Sequence, residues 1–310
     1  RRLQCRVAVF PPLFMTHRQA VFTMIAVTLM WSIAGVVTRH LEAARAFEVT
    51  FWRSAFNALA LVLLLSWQRG PRALWASLRD GGRALWLSGL CWCVMYTAFM
   101  VALTLTTVAN VLITMATAPL FTALGARFVL GHRLALRTWS AIVVAGIGIA
   151  WMYGQQVSAS EARHLVGTAV ALAVPVAAAV NWTLLQHVQG SKTGQGADML
   201  PAVLIGALLS AAITLPLALP FAASAHDLGL LALLGAVQLA IPCLLAVAAA
   251  RVLSAPEASL LALLEVVFGV AWAWLGAGEA PSAAVLGGGL LVLGALGANE
   301  ALALRQRRLD

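Results

Sequence analysis

Charged residues are scarce in this sequence, with 20 basic and 11 acidic side chains in 310 residues, or 10% of the chain. An ordinary soluble domain carries about 25% charged residues. Hydrophobic residues make up 62% of the chain, and the mean hydropathy is +0.92. This composition excludes a soluble globular domain and predicts a protein that lies mostly within a lipid bilayer.

Cysteine is also rare, and its spacing suits neither a metal site nor a redox pair. Cys5 and Cys243 stand alone, while Cys91 and Cys93 are two positions apart. Residues two apart on a helix point in different directions, so these two thiols are not placed to hold one ion. We expect all four to be small packing residues, and the sequence predicts no metal and no cofactor.

Enzymatic motifs are missing as well. The sequence has no HExxH, no GxSxG, no phosphate-binding loop and no paired intramembrane aspartates. We therefore predict that the protein is not an enzyme. A membrane-embedded enzyme remains an alternative, but it would need a second catalytic group at the depth of Glu265, where the sequence offers only amides, hydroxyls and His187.

Long apolar stretches are what the sequence has in abundance. A helix needs about 20 mostly apolar residues to cross the ~30 Å hydrocarbon core. Ten stretches meet this need, namely 20–38, 49–67, 84–104, 107–129, 138–153, 166–186, 199–220, 228–250, 256–275 and 282–303. They predict an all-α polytopic membrane protein with ten transmembrane helices.

The distribution of basic residues predicts the orientation. If every stretch crosses and the N-terminus is cytoplasmic, sixteen basic residues fall in inside segments, against three outside, Arg39, Arg45 and Arg163. Such a bias is typical of the positive-inside rule and places both termini in the cytoplasm. The net charge of +9 therefore reflects topology, and we expect no nucleic-acid partner.

A weak internal repeat divides the chain in two. Residues 106–134 align with residues 253–281 at a constant offset of 147. Five crossings are an odd number, so the second unit would be inverted, as in many secondary transporters. The predicted organisation is an N-terminal segment 1–19, a first repeat 20–154, a linker 155–165, a second repeat 166–303 and a cytoplasmic tail 304–310.

The first residues differ in character from the rest. The first methionine is Met15, and residues 1–14 are too polar and too interrupted by proline to be the core of a signal peptide. We expect the natural protein to start at Met15, with residues 1–14 coming from an upstream reading frame or from a cloning vector.

Glu265 is the only carboxylate in the middle of a long apolar stretch. A charge at this depth is costly, and such residues usually face a cavity and have a function. The alternative is a buried hydrogen-bond anchor. Arg53, in the second stretch, is a candidate partner, although it lies near the outer end and could instead extend its side chain to the interface or bond a neighbouring helix.

Several other polar and aromatic residues lie within the apolar stretches. Together with Glu265, the predicted substrate-binding residues are Trp31, Tyr96, Thr114, Asn181, Trp182 and Gln238. Tryptophan and tyrosine combined with a few amides suit an amphipathic organic solute. The alternative is that the amides and hydroxyls only bond neighbouring helices to one another.

Three prolines lie well inside their apolar stretches. Pro119, Pro175 and Pro242 each remove a backbone donor and can kink a helix. Such a kink serves either a gating hinge or simple curvature of the bundle. With Arg53, these prolines are the predicted structural or gating residues.

The segments TTVANVLITMATAPLFTALGARFVLGHRL, FWRSAF and LSAPEASLLALLEVVFGVAWAWLGAGEAP resemble EamA-like permeases of the drug/metabolite transporter superfamily. The resemblance extends over about residues 20–303. Arg53 is similar to the family's second-helix arginine, and Leu264-Glu265 to its leucine-glutamate-proline motif, although Val266 replaces the proline. The resemblance implies a ten-helix inverted-repeat bundle in the cytoplasmic (inner) membrane that commonly exports amino acids or related metabolites.

The predicted function is therefore secondary transport without ATP. We expect export of a small amphipathic metabolite, such as an amino acid, by alternating access. The expected partners are this small-molecule substrate and the lipid bilayer, with protons as a candidate coupling ion. Besides the enzyme, a non-transporting membrane assembly subunit is the remaining alternative.

Overall fold

The computed structural model describes residues 15–118, 120–122, 124, 136–157, 162–190, 198–253 and 255–307, and all regular elements within them are helical. The helices are α1 (His17–Thr38), α2 (Ala46–Arg69), α3 (Pro71–Asp80), α4 (Gly82–Leu105), α5 (Val108–Met115), α6 (Leu136–Val157), α7 (Ala162–Gly190), α8 (Pro201–Ala218), α9 (Ala225–Ala249), α10 (Ala255–Ala277) and α11 (Ala283–Arg307). The middle of α9, Leu233–Ala240, is a π-helix. The predicted all-α fold is confirmed for the described residues.

Within the described residues, six helical segments are long and apolar enough to cross a bilayer: α1, α2, α4, α8, α9 and Leu165–Leu185 within α7. The same residues contain four shorter apolar helical stretches, at Val108–Thr122, Trp139–Gly148, Leu264–Ala277 and Ala283–Ala295. In chain order each of these segments overlaps one of the ten predicted stretches. By length and composition the chain is a multi-pass membrane protein.

Helix α3 lies between the second and third apolar stretches, where the sequence analysis predicts no helix. With 10 residues it is too short to cross the bilayer. Pro71 occupies its first turn, a position where a proline costs no hydrogen bond. Gly70 and Gly82 flank it with φ of 84° and 67°, which lets the chain reverse at both ends. Helix α3 packs against α2 and α8.

Small residues allow the helices to approach closely. At the crossing of α4 and α8, a Cβ on Gly206 would lie 3.0 Å from the carbonyl oxygen of Gly89 and 2.4 Å from the Cβ of Trp92. Membrane helices associate through such close backbone contact, because no hydrophobic effect drives them together in lipid. This crossing fixes the position of Trp92 in the interior.

One end of the bundle is held together by carboxylates that bind loop backbones. Asp227, at the start of α9, accepts the N–H groups of residues 42–44 at 2.8, 2.9 and 2.9 Å. Glu48, at the start of α2, accepts the N–H groups of Ala222 and Ala223. Arg39 pairs with Glu279 at 2.8 Å. The loops that follow α1, α8 and α10 therefore lie at the same end.

The opposite end has its own ionic contacts. Asp198, just before α8, accepts from Arg69 at the end of α2 and from Arg251 after α9, with N–O distances of 3.1 and 3.3 Å. Helices α2 and α9 thus begin at the end that carries Asp227 and finish at the end that carries Asp198.

Replacing Asp227 with asparagine should lower the thermal stability. Asparagine offers one acceptor oxygen in place of two, so at least one of the three loop N–H groups loses its partner. A hydrogen bond to a charged group contributes about 1.5–3 kcal/mol, so we expect the unfolding temperature in detergent to fall by several degrees.

Asp80→Asn is the matched control for this change. The Asp80 side chain is exposed, and within the described part of the chain its polar contact is with the neighbouring Arg79, so this variant should unfold at the wild-type temperature. Equal unfolding temperatures for Asp227→Asn and the wild type would show that the carboxylate does not stabilise the loop.

Candidate functional site

A cavity lies in the middle of the bundle, between the two halves of the chain. Its volume is about 130 Å³, and helices α1, α2, α4, α5, α7, α9 and α10 contribute to its wall. One water molecule needs only about 10–15 Å³ of such space. The centre of the protein therefore has room for several waters or for part of a small solute.

Most of the predicted site residues meet in this cavity. Six of the seven predicted substrate-binding residues line it, together with Arg53 and Pro175; the six are Trp31, Tyr96, Asn181, Trp182, Gln238 and Glu265. Thr114 is buried and donates to the carbonyl oxygen of Asn110, one turn earlier in its own helix, and is not part of the lining. Pro242 is buried behind the wall, and Pro119 lies outside the described residues.

Arg53 places a guanidinium inside the bundle. The residue is 2% exposed, so the interpretation that it extends to the interface does not fit. Its Nη2 donates to Oε1 of Gln238 at 2.9 Å, and its Cζ lies 5.6 Å from the ring centroid of Phe99. Its Nε and Nη1 have no hydrogen-bond partner in the described part of the chain. Two donors of a buried cation are therefore unused.

Glu265 is the acidic group of the same cavity. The residue is 8% exposed and lines the cavity. Its carboxyl group forms no hydrogen bond or ion pair within the described residues. Arg53 and Glu265 line the same cavity, and no ion pair joins them within the described residues. Leaving two buried ionisable groups unpaired is costly, and residues that bear such a cost in a membrane usually serve a function.

Gln238 holds Arg53 in place. Its Oε1 accepts from Arg53, and its Nε2 donates to the carbonyl oxygen of Trp31 at 3.0 Å. Its amide thus connects α1, α2 and α9, and both of its polar atoms already have a protein partner. The contact of Gln238 with Arg53 indicates that Gln238 positions the guanidinium. The sequence analysis had predicted that Gln238 contacts the substrate directly.

A π-helical segment presents Gln238 to the cavity. Pro242, four residues later, has no N–H to donate to the carbonyl oxygen of Gln238, which interrupts the α-helical hydrogen bonding where the wider turn occurs. Gly235 brings this segment against α2, because a Cβ there would lie 2.5 Å from the carbonyl oxygen of Arg53. Such π-segments occur frequently at functional sites.

The sequence analysis missed an aromatic wall on α4. Trp92 and Phe99 line the cavity on either side of Tyr96, and the ring centroids of Trp92 and Tyr96 are 5.5 Å apart. Positions 92, 96 and 99 follow the i, i+4, i+7 spacing of one helix face, which is the signal that could have identified them. On the facing helix α7, Asn181 accepts from Ser88 at 2.6 Å, and its Nδ2 has no partner among the described residues.

Residues 18–154 match the model of the EamA-like transporter family. The match covers somewhat less than half of the chain and confirms the predicted resemblance for this segment. No curated protein matches the chain.

The fold is shared with solved structures, and for one of them the likeness extends over nearly the whole length. Matches include 24 solved chains. One of them, a crystal structure, aligns with 95% of this chain and 100% of its own at 18% identity, with a TM-score of 0.61. At this identity the likeness concerns the fold alone.

The segment that matches the family, residues 18–154, and the remainder of the chain both line the cavity. The matched segment contributes Trp31, Arg53, Trp92, Tyr96 and Phe99, and the remainder contributes Asn181, Trp182, Gln238 and Glu265. The family match and the apolar helices together indicate a multi-pass membrane transporter.

Proposed function

We propose that the protein is a secondary transporter that exports a small amphipathic zwitterion, such as an amino acid. The observation that carries this proposal is that a basic and an acidic side chain, Arg53 and Glu265, line one cavity without forming an ion pair with each other. A substrate carboxylate suits the unused Nε and Nη1 of Arg53, since a guanidinium binds carboxylates through two parallel hydrogen bonds. A substrate ammonium suits Glu265, and the aromatic wall on α4 suits an apolar side chain.

The proposed architecture has ten crossings in two inverted repeats, 20–154 and 166–303, joined by the linker 155–165. The helix contacts support it. If α1, α2, α4, α5 and α6 correspond to α7, α8, α9, α10 and α11, the contact of α1 with α10 has its counterpart in that of α7 with α5. Likewise, α4 contacts α7 and α8, as α9 contacts α1 and α2. Helices α2 and α6 each contact their own counterparts, α8 and α11.

This symmetry suggests how the substrate would cross the membrane. Two similar five-helix units that rock about a shared cavity would expose it to one side at a time. The positive-inside bias assigns the Asp198 end to the cytoplasm, with both termini, and the Asp227 end to the outside. We propose the cytoplasmic (inner) membrane as the location, and Glu265 as the group that would carry a coupling proton.

The test is a flux assay with the purified protein in sealed vesicles without ATP. A mixed pool of labelled amino acids, amines, organic acids and sugars is offered on one side. We expect zwitterions with apolar side chains to exchange across the vesicle membrane, and sugars not to. No flux of any component would contradict the transporter proposal. Chemically altered products would instead favour the membrane-embedded enzyme, and flux that appears only with an added partner would favour the assembly subunit.

A further inference from the structure

Helix α3 carries a row of exposed basic and aromatic residues that is not part of the proposed transport site. It lies at the Asp198 end of the bundle, directly after Arg69. Leu74 is buried, and Leu78 packs against the interior. On the neighbouring face, Arg72, Trp75 and Arg79 follow the i, i+3, i+7 spacing and form one row. All three are exposed, and Trp75 at 69% is the most exposed tryptophan among the described residues.

The two arginines of this row are free to bind an external anion. Arg72 forms no ion pair within the described part of the chain. Among the described residues, Arg79 forms an ion pair only with its neighbour Asp80, at 3.0 Å, and these two side chains are 71% and 62% exposed. Exposed pairs of this kind contribute little and exchange readily for a better partner. The row therefore has a net positive charge beside a large aromatic ring.

The chemistry of these three side chains and their place next to a membrane-spanning helix indicate which ligand the row would bind. A tryptophan ring is most stable at the level of the lipid headgroups, where its apolar body and its N–H are both satisfied. Arginine binds phosphate oxygens through its planar set of donors. Basic residues next to a membrane-spanning helix attract anionic lipids of the cytoplasmic leaflet.

We propose that α3 lies in the headgroup layer and binds an anionic phospholipid through Arg72 and Arg79, with Trp75 inserted beside the acyl chains. The chain of α3 connects α2, which carries Arg53, to α4, which carries Trp92, Tyr96 and Phe99. A lipid held on α3 would therefore anchor the two helices that form one wall of the cavity. The site rests on the proposed orientation of the bundle, and its lipid affinity is measured without any transport substrate.

The experiment measures the binding of phosphatidylglycerol and of phosphatidylcholine to the purified full-length protein in detergent. The wild type should prefer phosphatidylglycerol. Arg72→Gln combined with Arg79→Gln should weaken its binding by about 25-fold, at roughly fivefold per arginine. The matched control is Arg18→Gln combined with Arg305→Gln, which removes two exposed basic residues assigned to the same side of the membrane, and should change the affinity less than twofold.

Two further arms distinguish a bound lipid from a free anion and from a general effect of exposed tryptophan. Inorganic phosphate added in excess should not displace phosphatidylglycerol, because it lacks the acyl chains that Trp75 contacts. Trp75→Ala should weaken lipid binding, whereas Trp86→Ala should not, although Trp86 is also 50% exposed. The proposal is overturned if the double variant of α3 binds phosphatidylglycerol as tightly as the wild type, or if the control variant loses as much affinity. If the flux assay shows no transport, the lipid-binding measurements still test this proposal by themselves, because they use no transport substrate.

Discussion

Replacing Glu265 with glutamine is expected to weaken the binding of a zwitterionic substrate by roughly 10- to 150-fold, because a hydrogen bond to a charged group contributes about 1.5–3 kcal/mol. Glutamine keeps the size and the polarity of the side chain but removes the carboxylate that would face the substrate ammonium. Since Glu265 forms no hydrogen bond with the described residues, the exchange leaves no protein group without its partner. The helices should therefore remain folded.

The comparison that isolates this effect uses two substrates and one control variant. Glu265→Gln should lose affinity for an amino acid that the wild type transports, but not for an analogue of this amino acid that lacks the amino group. Glu42→Gln makes the same chemical change on an exposed loop residue and should transport like the wild type. If Glu265 also carries the coupling proton, the variant loses the pH dependence of flux that this carboxyl causes. Unchanged affinity and unchanged flux at every pH would remove Glu265 from the mechanism.

Replacing Arg53 with methionine is expected to abolish most transport of the zwitterion without lowering the unfolding temperature. The substrate carboxylate would lose the paired donors Nε and Nη1, which corresponds to a loss of roughly 10- to 150-fold in affinity. In the absence of substrate, however, burying a cation with two unused donors costs free energy. Methionine can fill the same space beside Phe99 without that cost, and this gain offsets the removal of the hydrogen bond to Gln238.

Three comparisons test this combination of effects. Arg53→Lys keeps the charge but not the paired donor geometry, so its affinity should fall between those of the wild type and Arg53→Met. An amine that lacks the carboxylate should bind Arg53→Met as well as it binds the wild type. Arg45→Met, at the exposed start of the same helix, serves as the control for loss of a charge. A fall in unfolding temperature that parallels the loss of transport would show that Arg53 mainly stabilises the bundle.

The contrast between Glu265 and Trp92 shows which site residues a sequence can reveal. Glu265 stands out in its apolar stretch because the cost of a charge in hydrocarbon depends on the segment alone. Trp92 and Phe99 are apolar residues among apolar residues, so only the direction of their helix face distinguishes the cavity from the lipid. Thr114 illustrates the opposite case, since a hydroxyl within a span satisfies itself on its own helix as readily as it faces a substrate.

The carboxylates that bind the loops are another example of contacts that the sequence does not reveal. Asp227 and Glu48 are polar residues near helix starts, where acidic side chains are common and usually interact with their own helix. In the structure each of them binds the backbone of the other's connecting loop, and Asp227 also accepts the N–H of Ser224 at the start of its own helix. Nothing local to either segment indicates that exchange, because it depends on how two distant loops meet at one end of the bundle.

The sequence alone determines the membrane location, the helical class and the order of the apolar stretches, and it reveals one carboxylate in an apolar span. These features can be recognised without the fold because hydropathy and the cost of burying a charge are properties of each segment. The tertiary structure decided that Arg53 and Glu265 share a cavity without pairing, and that Gln238 is the residue that holds Arg53. The hydrogen bond between Arg53 and Gln238 alone joins residues 185 positions apart. They arise from the packing of small residues at helix crossings, which the sequence of any one helix does not specify.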